Sequence, residues 1–104
     1  MANNELIEKI ALKMTRTGTD KINFKILDML PSDINTMMKE LNLTKVPINI
    51  RINELEKVGL VNRWRGTGKV VLTEFGKDFM KLIYGYQDIV RFNIMDMLKK
   101  ISDS

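Results

Sequence analysis

Apolar residues recur at helical spacing from the first residues of the chain. Between Asn4 and about Thr15 they lie three or four positions apart, so that one stripe forms from Leu6, Ile7, Ile10, Ala11 and Met14. Asn4 can cap the beginning of this helix, and Gly18 is expected to end it.

Two shorter helices are predicted next, on either side of Pro31. The second begins at Thr19 or Asp20 and ends where Pro31 cannot continue it, and Ser32 is expected to cap the third. Their inner faces would be formed by Ile22, Ile26, Leu27 and Leu30 in the second helix and by Ile34, Met37, Met38 and Leu41 in the third. We interpret the methionines as core residues and not as ligands. Asn42 is expected to end the third helix, because asparagine tolerates the left-handed conformation found at helix ends.

The fourth helix, expected over residues 45–59, is the least certain from local pattern. Residues 46–53 alternate apolar with mostly polar side chains and are rich in β-branched residues, which is typical of a strand. Helix is favoured because Pro47 fits a first helical turn better than a ladder, and because Thr44 and Gly59 stand where a cap and a stop belong. Apolar residues also continue at helical spacing through Ile48, Ile52 and Leu55.

A β-hairpin and a long last helix complete the predicted elements. Residues 61–65 and 69–73 are expected to be two short strands around a loop of Gly66, Thr67 and Gly68. Thr73 would cap a final helix that continues to about residue 100, roughly 40 Å at 1.5 Å per residue. The chain is therefore predicted to be mainly helical with a small hairpin.

The positive charge is concentrated in one part of the chain. The 104 residues carry a net charge of +4, with 17 cations and 13 anions. Residues 42–73 contain six of the cations and two of the anions, so the whole excess lies on the fourth helix and the hairpin. With a pI of about 9.4, this distribution favours a polyanionic partner.

Composition also excludes several classes of site. The chain has no cysteine and no histidine, which removes thiol chemistry, the commonest metal ligand and the usual near-neutral acid or base. No apolar run approaches the roughly 18 residues needed to span a bilayer, and no basic stretch precedes an apolar signal core. We expect one soluble, cytoplasmic domain, not an enzyme, with no cofactor, no metal and no membrane partner.

The fourth helix is predicted to present one face to DNA. At 100° per residue its buried side leaves an outer face of Val46, Asn49, Ile50, Asn53 and Lys57, with Lys45 and Arg51 on its flanks. Asparagine can pair with adenine and small apolar side chains can meet thymine methyl groups, so A·T-leaning sites are expected. The cations would neutralise phosphates. The alternatives are an ordinary solvated face and, for Ile50, a protein contact.

The hairpin is predicted to add a second basic element. Arg63 and Arg65 share one face by the two-residue period, and Lys69 is expected across the turn from Arg65. Thr67 between two glycines would let the tip approach the minor groove or flanking phosphates. A solvated charged hairpin is the alternative, and Trp64 is expected to pack on the other face.

The last helix has too much apolar surface for one domain to cover. From Phe79 to Ile101, fourteen of 23 residues are apolar or aromatic and occupy more than half of the helix circumference. A second copy would cover the face containing Tyr84, Ile89, Phe92, Met95 and Leu98. Such pairing would place the fourth helices of the two copies roughly 34 Å apart, which is one turn of the DNA duplex. A helix lying on a membrane is the competing account, but its polar face carries charges of mixed sign.

Several motifs together resemble a known family. Leu43-Thr44-Lys45, the stretch Leu55-Glu56-Lys57-Val58-Gly59-Leu60-Val61 and Leu72-Thr73-Glu74-Phe75-Gly76 are similar to winged helix-turn-helix transcriptional regulators of the MarR/ArsR-like type. Pro47 and the isoleucine-rich helix depart from the family pattern.

The resemblance, which covers about residues 20–80, implies a homodimer on double-stranded DNA, and the predicted elements divide the chain into three segments. These are an N-terminal helix (1–18) with a possible dimer contact, a winged helix-turn-helix (19–73) and a C-terminal dimerisation helix (74–104). It places Lys45, Asn49, Ile50, Arg51 and Asn53 at recognition positions, with Arg63, Arg65 and Lys69 in the wing.

Three functions remain open at this level. The first is a sequence-specific regulator, acting as a repressor by occupying a promoter. The second is an architectural DNA-binding protein of low specificity. The third is a winged-helix protein-interaction module that uses Ile50 and Trp64. The sequence leaves the operator and any small-molecule effector undetermined.

Overall fold

A computed structural model describes residues 3–64 and 66–103. In these residues five helices and three short strands follow in the order α1 (Asn3–Thr19), α2 (Lys21–Asp28), β1 (Ser32–Asp33), α3 (Ile34–Leu41), α4 (Lys45–Lys57), β2 (Val61–Trp64), β3 (Lys69–Leu72) and α5 (Glu74–Ser102). The predicted mainly helical class with a β-hairpin is confirmed. No helix in the described part of the chain is long and apolar enough to cross a membrane.

The core lies where α1 to α4 meet the hairpin and the beginning of α5. Its buried apolar residues are Met14, Ile26, Leu27, Met37, Ile48, Ile52, Leu55, Leu60, Val61, Val70, Phe79 and Met80. Nearly all of these were on the predicted inner faces or strands, because helical and strand periods select the side that can leave water.

The sheet contains a strand that the sequence did not predict. Its order is β1-β3-β2, all antiparallel, and Ser32 pairs with Val70. Ser32 was expected to cap α3, and that prediction is wrong because α3 begins at Ile34, one residue too late for Ser32 to precede it directly. Asp33 caps the helix instead, accepting a 2.7 Å hydrogen bond from the Thr36 amide at Oδ1. This bond holds the pKa of Asp33 below its ordinary value of 3.8.

Gly18 was expected to end α1, but it does not. The helix continues to Thr19, and Gly18 is buried inside it. A Cβ atom at this position would lie 2.5 Å from a ring carbon of Phe79 and 3.1 Å from Leu60 Cδ1. Glycine here therefore allows α1 to pack closely on α5, which is a tertiary requirement and not a local one.

The fourth element is a helix, and the strand alternative is wrong. Asn42 ends α3 in the left-handed conformation (φ 53°), as expected. At the other end, the Leu60 amide donates to the Leu55 carbonyl and the Gly59 amide to the Glu56 carbonyl, each at 3.0 Å. These two bonds form the Schellman stop that Gly59 predicted. Thr44 stands at the cap position but makes no capping bond with its side chain.

The α5 helix begins on the domain and continues beyond it. Thr73 caps it, because its Oγ1 accepts a 2.8 Å bond from the Gly76 amide and donates a 2.6 Å bond to the Gly59 carbonyl. From residue 84 to residue 103 every position is exposed. The longest dimension of the subunit is accordingly 59 Å.

Candidate nucleic-acid interface

The outer face of α4 combines apolar and basic side chains in water. Val46 is 68% exposed and Ile50 is 53% exposed, although both are apolar. Lys45 and Lys57 are exposed as well, and neither forms an ion pair with another described residue. Two free cations therefore flank an apolar strip on this helix.

Arg51 contacts α2 inside the subunit. Its Nη1 donates to Asp20 Oδ1 at 2.6 Å and to Asn23 Oδ1 at 3.1 Å. The same Asp20 carboxylate caps α2 by accepting from the amides of Ile22 and Asn23. The Asn23 amide bond above all, and then the Arg51 charge, hold the pKa of Asp20 below its ordinary value of 3.8. Arg51 thus joins α4 to α2 and is partly neutralised there.

Arg63 on β2 reaches back to α4 and contacts both predicted reading asparagines. Its Nη1 donates to Asn49 Oδ1 at 2.6 Å, while its Nη2 donates to Asn53 Oδ1 at 2.7 Å and to the Asn49 carbonyl at 3.2 Å. The Arg63 amide also donates to Glu56 Oε2 at 3.3 Å. The first strand of the hairpin is therefore fastened to the outer side of α4.

The hairpin register differs from the one expected. Lys69 pairs with Trp64 and not with Arg65, and its Nζ lies 5.1 Å from the centroid of the Trp64 ring. Because Trp64 is 53% exposed, this cation–π contact lies at the surface. Thr67 stabilises the turn, because its Oγ1 donates to the Trp64 carbonyl at 3.0 Å. Arg65 lies outside the described residues.

The five predicted dimer contacts divide into two groups. Ile89, Phe92, Met95 and Leu98 are 61%, 75%, 64% and 60% exposed, with no covering from their own subunit. Tyr84 differs, because its hydroxyl donates to Asp28 Oδ1 and its ring packs edge-on against Phe24 at 5.9 Å between centroids. The Asp28 bond raises the pKa of Tyr84 above its ordinary value.

A groove lies between α1 and the first half of α5. It has a volume of about 450 Å³. Its lining is mostly apolar and includes Ile7, Ile10, Met14, Phe75, Phe79 and Leu82.

In the described residues no group of three or more Asp and Glu is arranged to hold a metal ion.

Sequence reasoning missed the partners of the two arginines. Arg51 and Asp20 are 31 positions apart, and Arg63 and Asn49 are 14 apart. A cation in a basic segment gives no indication of such partners, because helix packing brings them together. The only signal was the four-residue spacing of Asn49 and Asn53, which puts both amides on one helix face.

The architecture itself is shared with solved structures. The reduced form of HlyU from Vibrio cholerae N16961 superposes with a TM-score of 0.66 at 17% identity, over 83% of this chain and 97% of that one. A second HlyU structure from Vibrio cholerae N16961 gives a TM-score of 0.65 at 18% identity, with the same coverage of each chain. The fold is a winged helix-turn-helix.

Within this fold, α3 and α4 form the helix-turn-helix and β2 with β3 forms the wing. The expected likeness to winged helix-turn-helix regulators is thus confirmed. Because the sequence identities are only 17% and 18%, this likeness is one of fold. No protein-family model matches the sequence. No curated protein matches it either.

Proposed function

We propose that this chain is a cytoplasmic, homodimeric transcriptional regulator that binds specific sites in double-stranded DNA and represses by occupying a promoter. The observation that carries the proposal is the attachment of β2 to α4 by Arg63, with bonds of 2.6 and 2.7 Å to Asn49 and Asn53. This attachment makes the recognition helix and the wing one surface. A duplex can meet both together.

The exposed side chains of α4 suit a major groove. Val46 and Ile50 can contact thymine methyl groups, which gives apolar side chains in water a partner. Lys45 and Lys57 are free to neutralise phosphates on either side of the groove. On the wing, Lys69 carries its charge above Trp64 and can approach a flanking phosphate.

The exposed half of α5 supports a homodimer. Ile89, Phe92, Met95 and Leu98 are all at least 60% exposed, and a single subunit offers nothing to cover them. Pairing with a second copy removes this apolar surface from water. The groove between α1 and the first half of α5 is also lined mostly by apolar residues, so we include α1 in the proposed interface.

The salt dependence of binding tests the DNA assignment. Lys45, Lys57 and Lys69 are the described cations of this surface whose charged groups bond to neither a carboxylate nor an amide oxygen, so a dimer would bring six to the phosphates. At about 0.9 per phosphate, the plot of log affinity against log salt should have a slope near −5. Fluorescence anisotropy with labelled duplexes measures it. A slope shallower than about −3 would contradict the proposal.

Two outcomes would favour the other functions. Equal affinity for a selected site and for random competitor DNA would point to an architectural protein of low specificity. Failure to bind any duplex at low salt would point to a protein-interaction module, for which exposed Val46, Ile50 and Trp64 supply the contact surface.

A further inference from the structure

Arg63 determines which way the two asparagine amides of α4 face. A guanidinium has only N–H donors, so each amide can bond to it only through its oxygen. The 2.6 and 2.7 Å distances from Arg63 to Asn49 Oδ1 and Asn53 Oδ1 are those of short, charge-assisted hydrogen bonds. The orientation of both amides therefore follows from the arginine beside them.

The two asparagines are left with different hydrogen-bonding capacity. Asn49 also donates from Nδ2 to the Lys45 carbonyl at 2.9 Å, so both ends of its amide are used within the subunit. Asn53 is exposed, and its Nδ2 has no partner among the described residues. Of the two asparagines, only Asn53 still offers a polar atom to a base, and that atom is a donor.

Donors alone do not suit adenine. The two-bond pairing of asparagine with adenine needs the amide oxygen to accept from N6 while the nitrogen donates to N7. Arg63 takes one of the two lone pairs of that oxygen, so adenine N6, itself a donor, would have to reach the other one beside the cationic guanidinium. Releasing the oxygen instead would leave a half-buried guanidinium N–H without its partner. Guanine presents two acceptors in the major groove, N7 and O6, and requires no oxygen from the protein.

We propose that Arg63 is a specificity-determining residue, which acts by holding the Asn49 and Asn53 oxygens so that Asn53 reads guanine instead of adenine. The inference rests on the proposed DNA-binding function. Arg63 is a positioning residue in this scheme, since it acts through Asn53. It replaces the A·T preference expected for the asparagines, while Val46 and Ile50 retain their fit to thymine methyl groups.

Selection from randomised duplexes by the purified full chain tests the proposal. The wild type should select guanine at one position of each half-site. Arg63→Met, which frees both amide oxygens, should shift that position towards adenine by about tenfold in the ratio of the two bases. A gain of adenine preference is not expected from a purely structural loss, which would weaken binding to all sequences.

Asn53→Ala provides a second variant, in which the two bonds of Arg63 to Asn49 remain to hold the wing against α4. Asn53 is exposed, so its truncation should leave the fold intact and reduce the guanine preference by about tenfold. Asn62→Ala is the matched control, because Asn62 is an exposed asparagine on the same strand as Arg63 but on the opposite face. It should leave the preference unchanged.

The outcomes separate the inference from the function on which it rests. Binding with adenine at that position in the wild type, or a preference unchanged by both Arg63→Met and Asn53→Ala, would overturn the inference alone. Absence of wild-type binding to any duplex at low salt would overturn the proposed function, and the inference with it.

Discussion

Asp20 and Asn23 together connect three helices. The Asp20 carboxylate accepts hydrogen bonds from the first amides of α2 and also from Arg51 of α4, while Asn23 next to it donates from Nδ2 to the Thr17 carbonyl of α1. Arg51 has 28% of its side chain exposed and Asp20 has 44%. The ion pair is thus only partly screened by water. It holds α4, which we propose as the recognition helix, against the N-terminal half of the domain.

Asp20→Asn should make the protein less sensitive to acid. The folded-state pKa of Asp20 lies below 3.8, so the carboxylate stabilises the fold above pH 3.8 and this stabilisation disappears as the pH falls through the folded value. The free energy of unfolding, measured with urea at several pH values, should fall more steeply for the wild type than for the variant between about pH 5 and pH 2. Parallel curves would contradict this role.

At neutral pH the same substitution should cost little. Asparagine can still cap α2, and the lost ion pair is partly exposed, so the decrease should be at most about 1 kcal/mol. Asp33→Asn is the matched comparison, since Asp33 also caps a helix with a lowered pKa but forms no ion pair with a described arginine.

Residue types were easier to predict than residue partners. Lys45 and Lys57 stand exposed where the helical period placed them, because that period depends only on neighbouring positions. Arg51 and Arg63 were expected to meet phosphates, yet each donates to oxygen atoms of its own chain. Nothing in the spacing of charges predicts such bonds, since they depend on how two elements pack.

At the scale of the element, α5 contains two glycines with opposite requirements. A Cβ on Gly76 would lie 2.1 Å from the Leu60 carbonyl oxygen, whereas nothing of the subunit lies within 4 Å of a Cβ on Gly85. The first glycine therefore permits a close approach of α5 to the backbone of Leu60, the residue before β2. The second one lowers helix stability without a compensating contact in the subunit.

Alanine at these positions should change stability in opposite directions. Gly76→Ala must displace backbone and should destabilise by about 1–3 kcal/mol or more, while Gly85→Ala should stabilise by up to about 1 kcal/mol through helix propensity. Thermal unfolding of both variants under the same conditions measures the difference. Equal shifts in Tm for the two variants would show that the Gly76 contact is unimportant.

Local signals located the ends of α3 and α4 but not the third strand of the sheet. Asn42 and Gly59 ended their helices as expected, because left-handed backbone is decided by the residue that adopts it. The β1 strand escaped prediction because two residues carry no periodic pattern. Ser32 and Asp33 are a strand only because β3 is available to pair with them.

At the scale of the molecule, the main feature of the subunit is the apolar surface of α5 that it leaves exposed to water. Twenty consecutive residues, 84 to 103, are exposed, and many of them are apolar. Tyr84 and Phe24 anchor the point where the helix leaves the domain. The remaining apolar surface needs a second copy under our proposal.

Two aspartate substitutions should separate dimerisation from DNA binding. Phe92→Asp places a charge in the proposed interface and should weaken the dimer by at least about tenfold. Val46→Asp changes an equally exposed apolar residue on α4, so it should leave the dimer intact and weaken DNA binding by about tenfold through repulsion from phosphates. Sedimentation and anisotropy measurements distinguish the two effects. If Phe92→Asp leaves the sedimentation coefficient unchanged, the α5 interface is wrong.

The amino-acid sequence determined the helix faces, the two helix ends at Asn42 and Gly59, and the position of the positive charge. These properties depend on periods of a few residues, on the backbone preference of single residues and on a count of charges. Tertiary structure decided the close packing at Gly18, the pairing of β1 and the partners of Arg51 and Arg63. Each of these requires two segments far apart in the chain to meet, and only the packed core brings them within hydrogen-bonding or van der Waals distance.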